Sequence, residues 1–377
     1  MANKKICFIV ASPNTASAFL TGHMRALGQD YEVHLVCDLV KGVPLEGVGP
    51  DVRVAPIAIR RKISPVADLV SLIGLFRHLS SHRYDFICSV TPKAGLLAML
   101  AGYLSRTPRR IHIFTGQVWV TRSGLVRWGL KAIDKLLAWL ATDLLADSNS
   151  QREFLINQQI TRPEKIQVLA DGSICGVDTD RFKINAQHRT EVRQQFNVPE
   201  SAIVVLFLGR INRDKGVLDL ASAFARLAAK HDNAWMLWVG PDEEDLTQDI
   251  LNRCRDVGNR LFFVGFTAEP ERYMAASDIF ALPSYREGFG TSVIEAAACG
   301  LPCVCSKIYG LTDAVVDGVT GMLHTPADIL DIERQLEGLL LNEQLRLQLG
   351  ASAKQRAVYD FGQARLTDSF KSFVDAR

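Results

Sequence analysis

Short apolar runs of strand type alternate with helical patterns along most of the chain, and that alternation leaves few folds open. In the first half, KKICFIVAS, YEVHLVCD, YDFICSV, RRIHIFTG and TDLLADS read as strands, and TASAFLTGHMRALG, VADLVSLIGLFRHLSS, AGLLAMLAGYLSR and GLVRWGLKAIDKLLAWLA read as helices. A second series begins near residue 200, with AIVVLFLG, AWMLWVG and RLFFVGF separated by VLDLASAFARLAAKH and DLTQDILNRCRDV. Strands alternating with helices predict parallel sheets covered on both faces. The fold class is therefore α/β, two doubly wound halves meeting near residues 178–200. The 377-residue length is enough for a core in each half. Ligand is expected at the carboxyl ends of the strands.

Composition removes several other classes. With 48% hydrophobic and 22% charged residues the chain is not a disordered one. The net charge of +2 is unevenly divided: residues 1–180 carry 21 Lys+Arg against 15 Asp+Glu, and the remainder 22 against 26. The first half is thus the candidate for meeting an anionic partner. The eight cysteines lie mainly in apolar runs such as ICFIV and FICSV, the setting of reduced core thiols. Cys303 and Cys305 have strand spacing but no second ligand pair beside them, which argues against zinc. MANKKICFIVASP lacks a signal-peptide pattern, and no apolar run nears the ~20 residues a bilayer requires. The expectation is a cytoplasmic protein.

The stretch Ala281–Gly300 carries the densest chemical signal. A short strand, IFALP, leads through a polar loop into the helical segment TSVIEAAACG. Glu287 and Glu295 stand eight positions apart. A helix starting near Thr291 leaves the first in the loop and the second about one turn inside. Eight continuous helical residues turn through roughly 800°, so both carboxylates can face one pocket. Gly288 and Gly290 allow close backbone approach, and the helix start offers N–H groups to an anion. Carboxylates beside an anion site suit vicinal hydroxyls. The same spacing also fits one capping and one solvated Glu on an ordinary loop and helix.

A second edge of this kind is FLGRINRDKG (207–216), where Arg210 follows a strand and Lys215 precedes a helix. A guanidinium and an ammonium there supply both donors and charge for a diphosphate, although solvated basic residues at a helix start are equally ordinary.

EGFGTSVIE (287–295), preceded by SDIFALPS and continuing as EAAACGLPCV, resembles the Glu-seven residues-Glu motif of retaining family-4 glycosyltransferases of the GT-B fold. The resemblance spans nearly the whole chain and is densest over residues 203–325. It implies two Rossmann-like domains facing across a cleft. Residues 1–180 would bind the acceptor and 181–361 the nucleotide sugar, with 362–377 a helix returning to the first domain. It implies that Glu287 contacts the donor sugar, the backbone of Gly288, Phe289, Gly290 and Thr291 holds phosphate, and Glu295 holds the ribose. Arg210 and Lys215 match the residues that hold the diphosphate, and with Glu287 they form the expected catalytic set. Gly265 and Phe266 resemble the segment whose backbone reads the nucleobase.

On the acceptor side the candidates are Lys93 in TPKAG (91–95) and Thr115, Gly116 and Arg122 in HIFTGQVWVTR (112–122). Many relatives carry His-Gly where Thr115-Gly116 stands, and Gly-Gly where this chain has Ser12-Pro13-Asn14. These departures resemble the branch that extends polyprenyl-diphosphate-linked sugars for surface polysaccharides or glycans. His112 and His23 read as structural. Asp178-Thr179-Asp180 has the form of a metal-binding pair but falls in GVDTDRF, which resembles the family's interdomain turn. No metal or cofactor is expected.

The helix GLVRWGLKAIDKLLAWLA (124–141) places Arg127, Lys131 and Lys135 among Trp128, Leu136 and Trp139, a pattern that suits an anionic bilayer surface or a helix covering the sheet with snorkelling cations. Arg60-Arg61-Lys62 and Arg109-Arg110 could add to the same field. The reading is a retaining glycosyltransferase, peripheral on the cytoplasmic face of a membrane, using a UDP-sugar by preference and a lipid-linked sugar acceptor, with no nucleic-acid partner. A GT-B sugar-nucleotide epimerase and a non-catalytic sugar- or lipid-binding scaffold are the alternatives. A Rossmann oxidoreductase would need a G-x-G-x-x-G turn after the first strand, and FIVASPNTAS has none.

Overall fold

Ile6 and Phe8 of the first strand are buried on one side of a sheet, and Cys7 and Ile9 on the other. Double-sided burial of this kind is why the strands read as unbroken apolar runs. The computed structural model describes residues 4–39, 45, 47–60 and 64–376. It contains two compact units, Met1–Gly176 with Gln363–Arg377, and Val177–Gly362.

The first unit contains β1 (Lys4–Ile9), α1 (Pro13–Phe19), α2 (Thr21–Leu27), β2 (Tyr31–Cys37), β3 (Arg53–Pro56), α3 (Pro65–His82), β4 (Phe86–Val90) and α4 (Pro92–Leu104). After these come β5 (Arg109–Phe114), α5 (Gly124–Leu140), β6 (Asp143–Ala146), α6 (Asn149–Asn157) and β7 (Ile166–Val168). All seven strands are parallel, in the order β3-β2-β1-β4-β5-β6-β7. The order reverses between β1 and β4.

The second unit comprises α7 (Ala186–Gln195), β8 (Ile203–Leu208), α8 (Val217–Lys230), β9 (Ala234–Val239), α9 (Thr247–Arg253), β10 (Leu261–Gly265) and α10 (Pro270–Ala276). It continues with β11 (Ile279–Leu282), α11 (Thr291–Ala298), β12 (Cys303–Ser306), α12 (Leu311–Ala314), β13 (Gly321–His324), α13 (Ile329–Leu341) and α14 (Glu343–Asp360). Its six parallel strands run β10-β9-β8-β11-β12-β13, reversing between β8 and β11. All eight cysteines are buried and free.

The last helix, α15 (Gln363–Asp375), belongs to the first unit and packs on α2. Phe370 seats its ring against Phe8 and the buried His23, 6.2 and 4.6 Å between centroids. Arg109 closes the helix end by donating to the carbonyls of Val374 and Phe373 at 2.8 and 2.9 Å, with its guanidinium over the Phe373 ring. A cation on the last carbonyls also meets the negative end of the helix dipole.

This use of Arg109 corrects the expectation that Arg109 and Arg110 serve a membrane field. Arg110 donates to the carbonyls of Leu140 and Thr107 at 2.8 and 2.7 Å, so both side chains are engaged internally. Two local readings also shift. The predicted helix over TASAFLTGHMRALG is two helices, α1 and α2, meeting at Leu20. In the sequence, Ser150-Gln151-Arg152-Glu153 has the form of a capping box, but the box lies two residues earlier: Ser148 Oγ accepts from the Gln151 N–H at 3.1 Å, and Gln151 Oε1 accepts from the Asp147 N–H at 2.8 Å. Ser148 follows β6 after a single connecting residue, which makes it the first side chain able to cap.

Replacing Arg109 with Ala should free the carboxyl end of α15. The expected result is about 1.5–3 kcal/mol less stability in denaturant titration and faster proteolysis after residue 362. An unchanged midpoint and cleavage rate would remove Arg109 from the docking of α15.

Candidate active site

The reversal of strand order in the second unit puts the loops after β8 and β11 side by side. Parallel sheets bind ligands at such reversals. After β8 come Gly209, Arg210, Ile211 and Asn212, then a 3-10 turn, Arg213–Lys215. Asn212 Oδ1 accepts from the Lys215 N–H at 3.2 Å and fixes this turn. Gly216 has φ +66°, and any Cβ there would run into the carbonyl of Pro283 at the end of β11. Only glycine lets the start of α8 approach the end of β11 this closely.

The approach has a chemical result. Lys215 Nζ is hydrogen-bonded and ion-paired to Glu287 Oε1, 72 residues away, and Ser284 Oγ donates to the same oxygen at 2.8 Å. Arg210 Nη1 donates to Glu243 Oε2 at 2.9 Å, and Asn212 Nδ2 reaches that oxygen at 3.2 Å. Arg286 pairs with Asp214 at 2.8 Å. Arg210, Lys215 and Glu287 are thus held on facing loops at one edge of one sheet.

Beyond Glu287 the chain passes Gly288 and Phe289 to Gly290, whose φ of +89° opens α11 at Thr291. Phe289 is buried and packs edge-on against Phe361, so only its backbone can meet a ligand. Gly310 has φ +84°, and a Cβ on it would lie 2.6 Å from the Gly288 carbonyl oxygen, so a second loop closes against this turn. Because α11 starts at Thr291, the shared azimuth expected from eight continuous helical residues does not apply to Glu287 and Glu295.

Glu295 stands alone. No hydrogen bond or ion pair to another described residue holds its half-buried carboxyl. Burial pushes it up to about 7, with Arg181 pulling the other way and Glu271 adding to the rise. Gly265 ends β10 with φ +75°, and its carbonyl accepts from the Gly240 N–H at 2.8 Å. Phe266 beside it is exposed. These two lie at the same sheet edge, but two strands away from β8.

In the first unit, Lys93 lies in the first turn of α4 and is ion-paired to Asp68 of α3 at 2.6 Å. Thr115 and Gly116 follow β5. The Thr115 carbonyl accepts from Gln117 Nε2 at 2.5 Å and Gln151 Nε2 at 2.8 Å. Arg122 is exposed just after the turn Val118–Thr121. Trp119 within that turn is buried, donates to Asp134 at 2.7 Å and stacks on Phe154. Burial pushes the Asp134 carboxyl up to about 6 against the pull of the indole N–H.

The two suspected structural histidines are structural. His112 shares a 2.8 Å hydrogen bond with Ser89, and burial pushes it down to about 3, so it is neutral. His23 lies 2.6 Å from the Ile174 carbonyl oxygen. Asp178 Oδ1 accepts from the N–H groups of Asp180 and Arg181 at 3.0 and 3.2 Å, forming a turn. Among the described residues no group of three His, Cys, Asp or Glu is placed to hold a metal ion.

Both units find relatives among known proteins. Residues 14–172 match the glycosyl transferase 4-like domain and 188–356 the glycosyl transferases group 1 family. The chain is 26% identical over 377 residues to the capsular polysaccharide biosynthesis glycosyltransferase CapM of Staphylococcus aureus, covering 100% of this chain and 98% of that one. It is 25% identical to the Escherichia coli UDP-Gal:alpha-D-GlcNAc-diphosphoundecaprenol alpha-1,3-galactosyltransferase, covering 92% and 90%. Among solved structures, Anabaena HepE in complex with UDP and glucose superposes with a TM-score of 0.81 at 20% identity, covering 99% and 100%.

The chain is a family-4 glycosyltransferase of the GT-B fold.

Three residues of this glycosyltransferase's candidate site were missed in the sequence. Asn212 had a visible signal, a capping residue three positions before Lys215. Glu243 lies in the acidic run PDEED after β9, which reads only as a solvated loop until β9 is known to neighbour β8. Ser284 had no signal beyond its nearness to Glu287.

The state of Glu295 has a measurable consequence. Its folded-state value, about 7 against an ordinary 4.5, means that the folded glycosyltransferase binds this proton more tightly than the unfolded chain does. That stability is fully present below the unfolded value and is lost as pH rises through the folded one. Glu295→Gln should therefore unfold at a higher temperature than wild type at pH 8, with the gap shrinking toward pH 5. A gap independent of pH would mean that Glu295 is ionised normally.

Proposed function

We propose that this glycosyltransferase moves a hexosyl group from a UDP-sugar, with retention of anomeric configuration, to a polyprenyl-diphosphate-linked sugar in surface polysaccharide or glycan assembly. The observation that carries the donor half is the Lys215–Glu287 pair at the strand reversal, with Arg210 on the same loop. A cation and a carboxylate held together can meet the two ends of a nucleotide sugar, diphosphate and hexose. The UDP named in the E. coli relative and in the HepE structures supports uracil as the base.

In the reaction read from this site, the acceptor hydroxyl oxygen forms a bond to the anomeric carbon while the bond from that carbon to the diphosphate oxygen breaks. The electron pair leaves with the diphosphate, whose oxygen takes the acceptor's proton on the same face. Arg210, Lys215 and the N–H groups at the start of α11 meet the charge that develops there. Glu287 orients the hexose. Glu295, shielded and without a protein partner, accepts from the ribose hydroxyls. In this reading Gly265 and Phe266 meet the base.

The acceptor half rests on Lys93, Thr115, Gly116 and Arg122, all at the carboxyl edge of the first sheet. The relatives' names support the lipid-linked class: the E. coli enzyme and an N,N'-diacetylbacillosaminyl-diphospho-undecaprenol transferase of Campylobacter jejuni both name such acceptors. No helix among the described residues is long and apolar enough to cross a membrane. The surface of α5 suits contact with one: Leu125, Val126 and Trp128 are 87, 61 and 72% exposed beside Arg122 and Arg127. On α3, Val66, Leu69, Val70 and Ile73 form a second exposed apolar stripe. Arg60, exposed, precedes it, while Arg61 and Lys62 lie outside the described residues. Peripheral attachment to the cytoplasmic leaflet follows from this reading.

Two experiments test the two halves. A thermal-shift screen against UDP, GDP, dTDP and ADP should single out UDP, and Lys215→Ala should weaken its binding by ~1.5–3 kcal/mol, about 10- to 150-fold. Unchanged binding in that variant would take Lys215 out of the donor site. For the membrane face, Leu125→Glu with Trp128→Glu should reduce co-sedimentation with anionic vesicles at least about tenfold and leave UDP binding intact. Full vesicle binding by the double variant would eliminate α5 as the attachment surface.

A further inference from the structure

We infer that Glu243 is a positioning residue for donor binding, acting through Arg210; the inference rests on the donor reading above. Glu243 is on the loop after β9. Its backbone N–H donates to the Ile211 carbonyl at 3.1 Å and the Ile211 N–H to the Pro241 carbonyl at 2.9 Å, so residues 241–243 extend the parallel ladder along residues 210–212. Gly240 has φ +135°, and a Cβ there would collide with the Gly209 carbonyl, so this pairing is as close as backbones allow. Glu243 is therefore fixed on a rigid edge next to the proposed diphosphate loop.

From that edge a single oxygen, Oε2, accepts from both Arg210 Nη1 and Asn212 Nδ2, at 2.9 and 3.2 Å. Asn212 in turn caps the turn that carries Lys215. One carboxylate thus holds the guanidinium directly, while the cap on the Lys215 turn is made by Asn212's own Oδ1. The neighbouring Glu244 accepts from the Arg213 N–H at 3.2 Å and adds a second tie between the loops.

An arginine side chain is long and loses much rotamer freedom when a ligand fixes it. Arg210 is 41% exposed on its side chain, and Glu243 engages only Nη1 among its nitrogens in the described structure. Nε and Nη2 can face a phosphate with no need to break the Glu243 contact. The opposing effect is repulsion between Glu243 and a bound diphosphate. The Glu243 side chain is 30% exposed, so that repulsion is screened, while Arg210 is already ordered by its contact with Glu243.

The test is a double-mutant cycle on UDP binding by calorimetry with Glu243→Gln, Arg210→Met and the double variant. Glu243→Gln should weaken UDP binding roughly two- to tenfold, with the thermal midpoint of the unliganded protein unchanged. In the Arg210→Met background the same change should have no further effect. A structural role for Glu243 would instead persist in that background, and that outcome overturns the inference. So does tighter UDP binding by Glu243→Gln, which would mark the carboxylate as a competitor. Wild-type protein that fails to bind UDP removes the donor site and the inference with it, whereas wild-type binding with a neutral Glu243→Gln removes the inference alone.

Discussion

The approach of β8 to β11 is the constraint on which the rest of the second unit depends. These strands are 74 residues apart at their first paired positions, Val205 and Ile279, yet they are neighbours because the strand order reverses between them. At a reversal the two following loops diverge to opposite faces and leave their first residues facing each other. Gly216, where the loop after β8 enters α8, marks how near that loop comes to the end of β11 at the Pro283 carbonyl. Lys215 and Glu287 meet because the backbones do. Their partners follow from the same geometry: β9, on the far side of β8, presents Glu243 to Arg210 and Glu244 to Arg213.

This arrangement explains why every cation on the 210–215 loop is paired within the protein. Arg210, Arg213 and Lys215 each face a carboxylate contributed by a different position of the flanking loops. A bare cluster of three cations would repel itself and move. With partners in place, each cation keeps its position and retains donors, because one contact uses only part of a guanidinium or ammonium. Glu295 is the counterexample. It is shielded, unpaired and displaced toward its neutral form. A group in that condition is stabilised by a ligand that donates hydrogen bonds to it, which a diol can do and a phosphate cannot.

The fold was readable in the sequence because a strand buried on both faces leaves an unbroken apolar run, and a covering helix leaves a period of 3.6. Where those signals weaken the reading loses detail. β3, Arg53–Pro56, has no fully buried residue and lies at the sheet edge, so nothing in its composition distinguishes it from loop. Arg109 looked like a surface cation and serves instead to close α15, a contact 265 residues distant. In the candidate site, Arg210, Lys215, Glu287 and Glu295 stood out through type and position relative to strand ends. Glu243 did not, since its meaning depends on which strand lies beside β8, and adjacency of parallel strands is not a local property of sequence.

Net charge by half is a coarse guide for the same reason. The first half is basic and the second acidic by count, which would send an anion to the first unit. Yet the proposed diphosphate site is in the acidic unit. Charges separated by more than about 8 Å are largely screened at physiological ionic strength, so what a ligand meets is the local array and not the sum. In the second unit much of the acidic excess is spent inside contacts: Glu333 with Arg226 and Lys230, Asp278 with Arg189 and Arg193, Glu243 with Arg210. In the first unit the basic residues near Leu125 and Trp128 face outward. There the local array and the overall count agree.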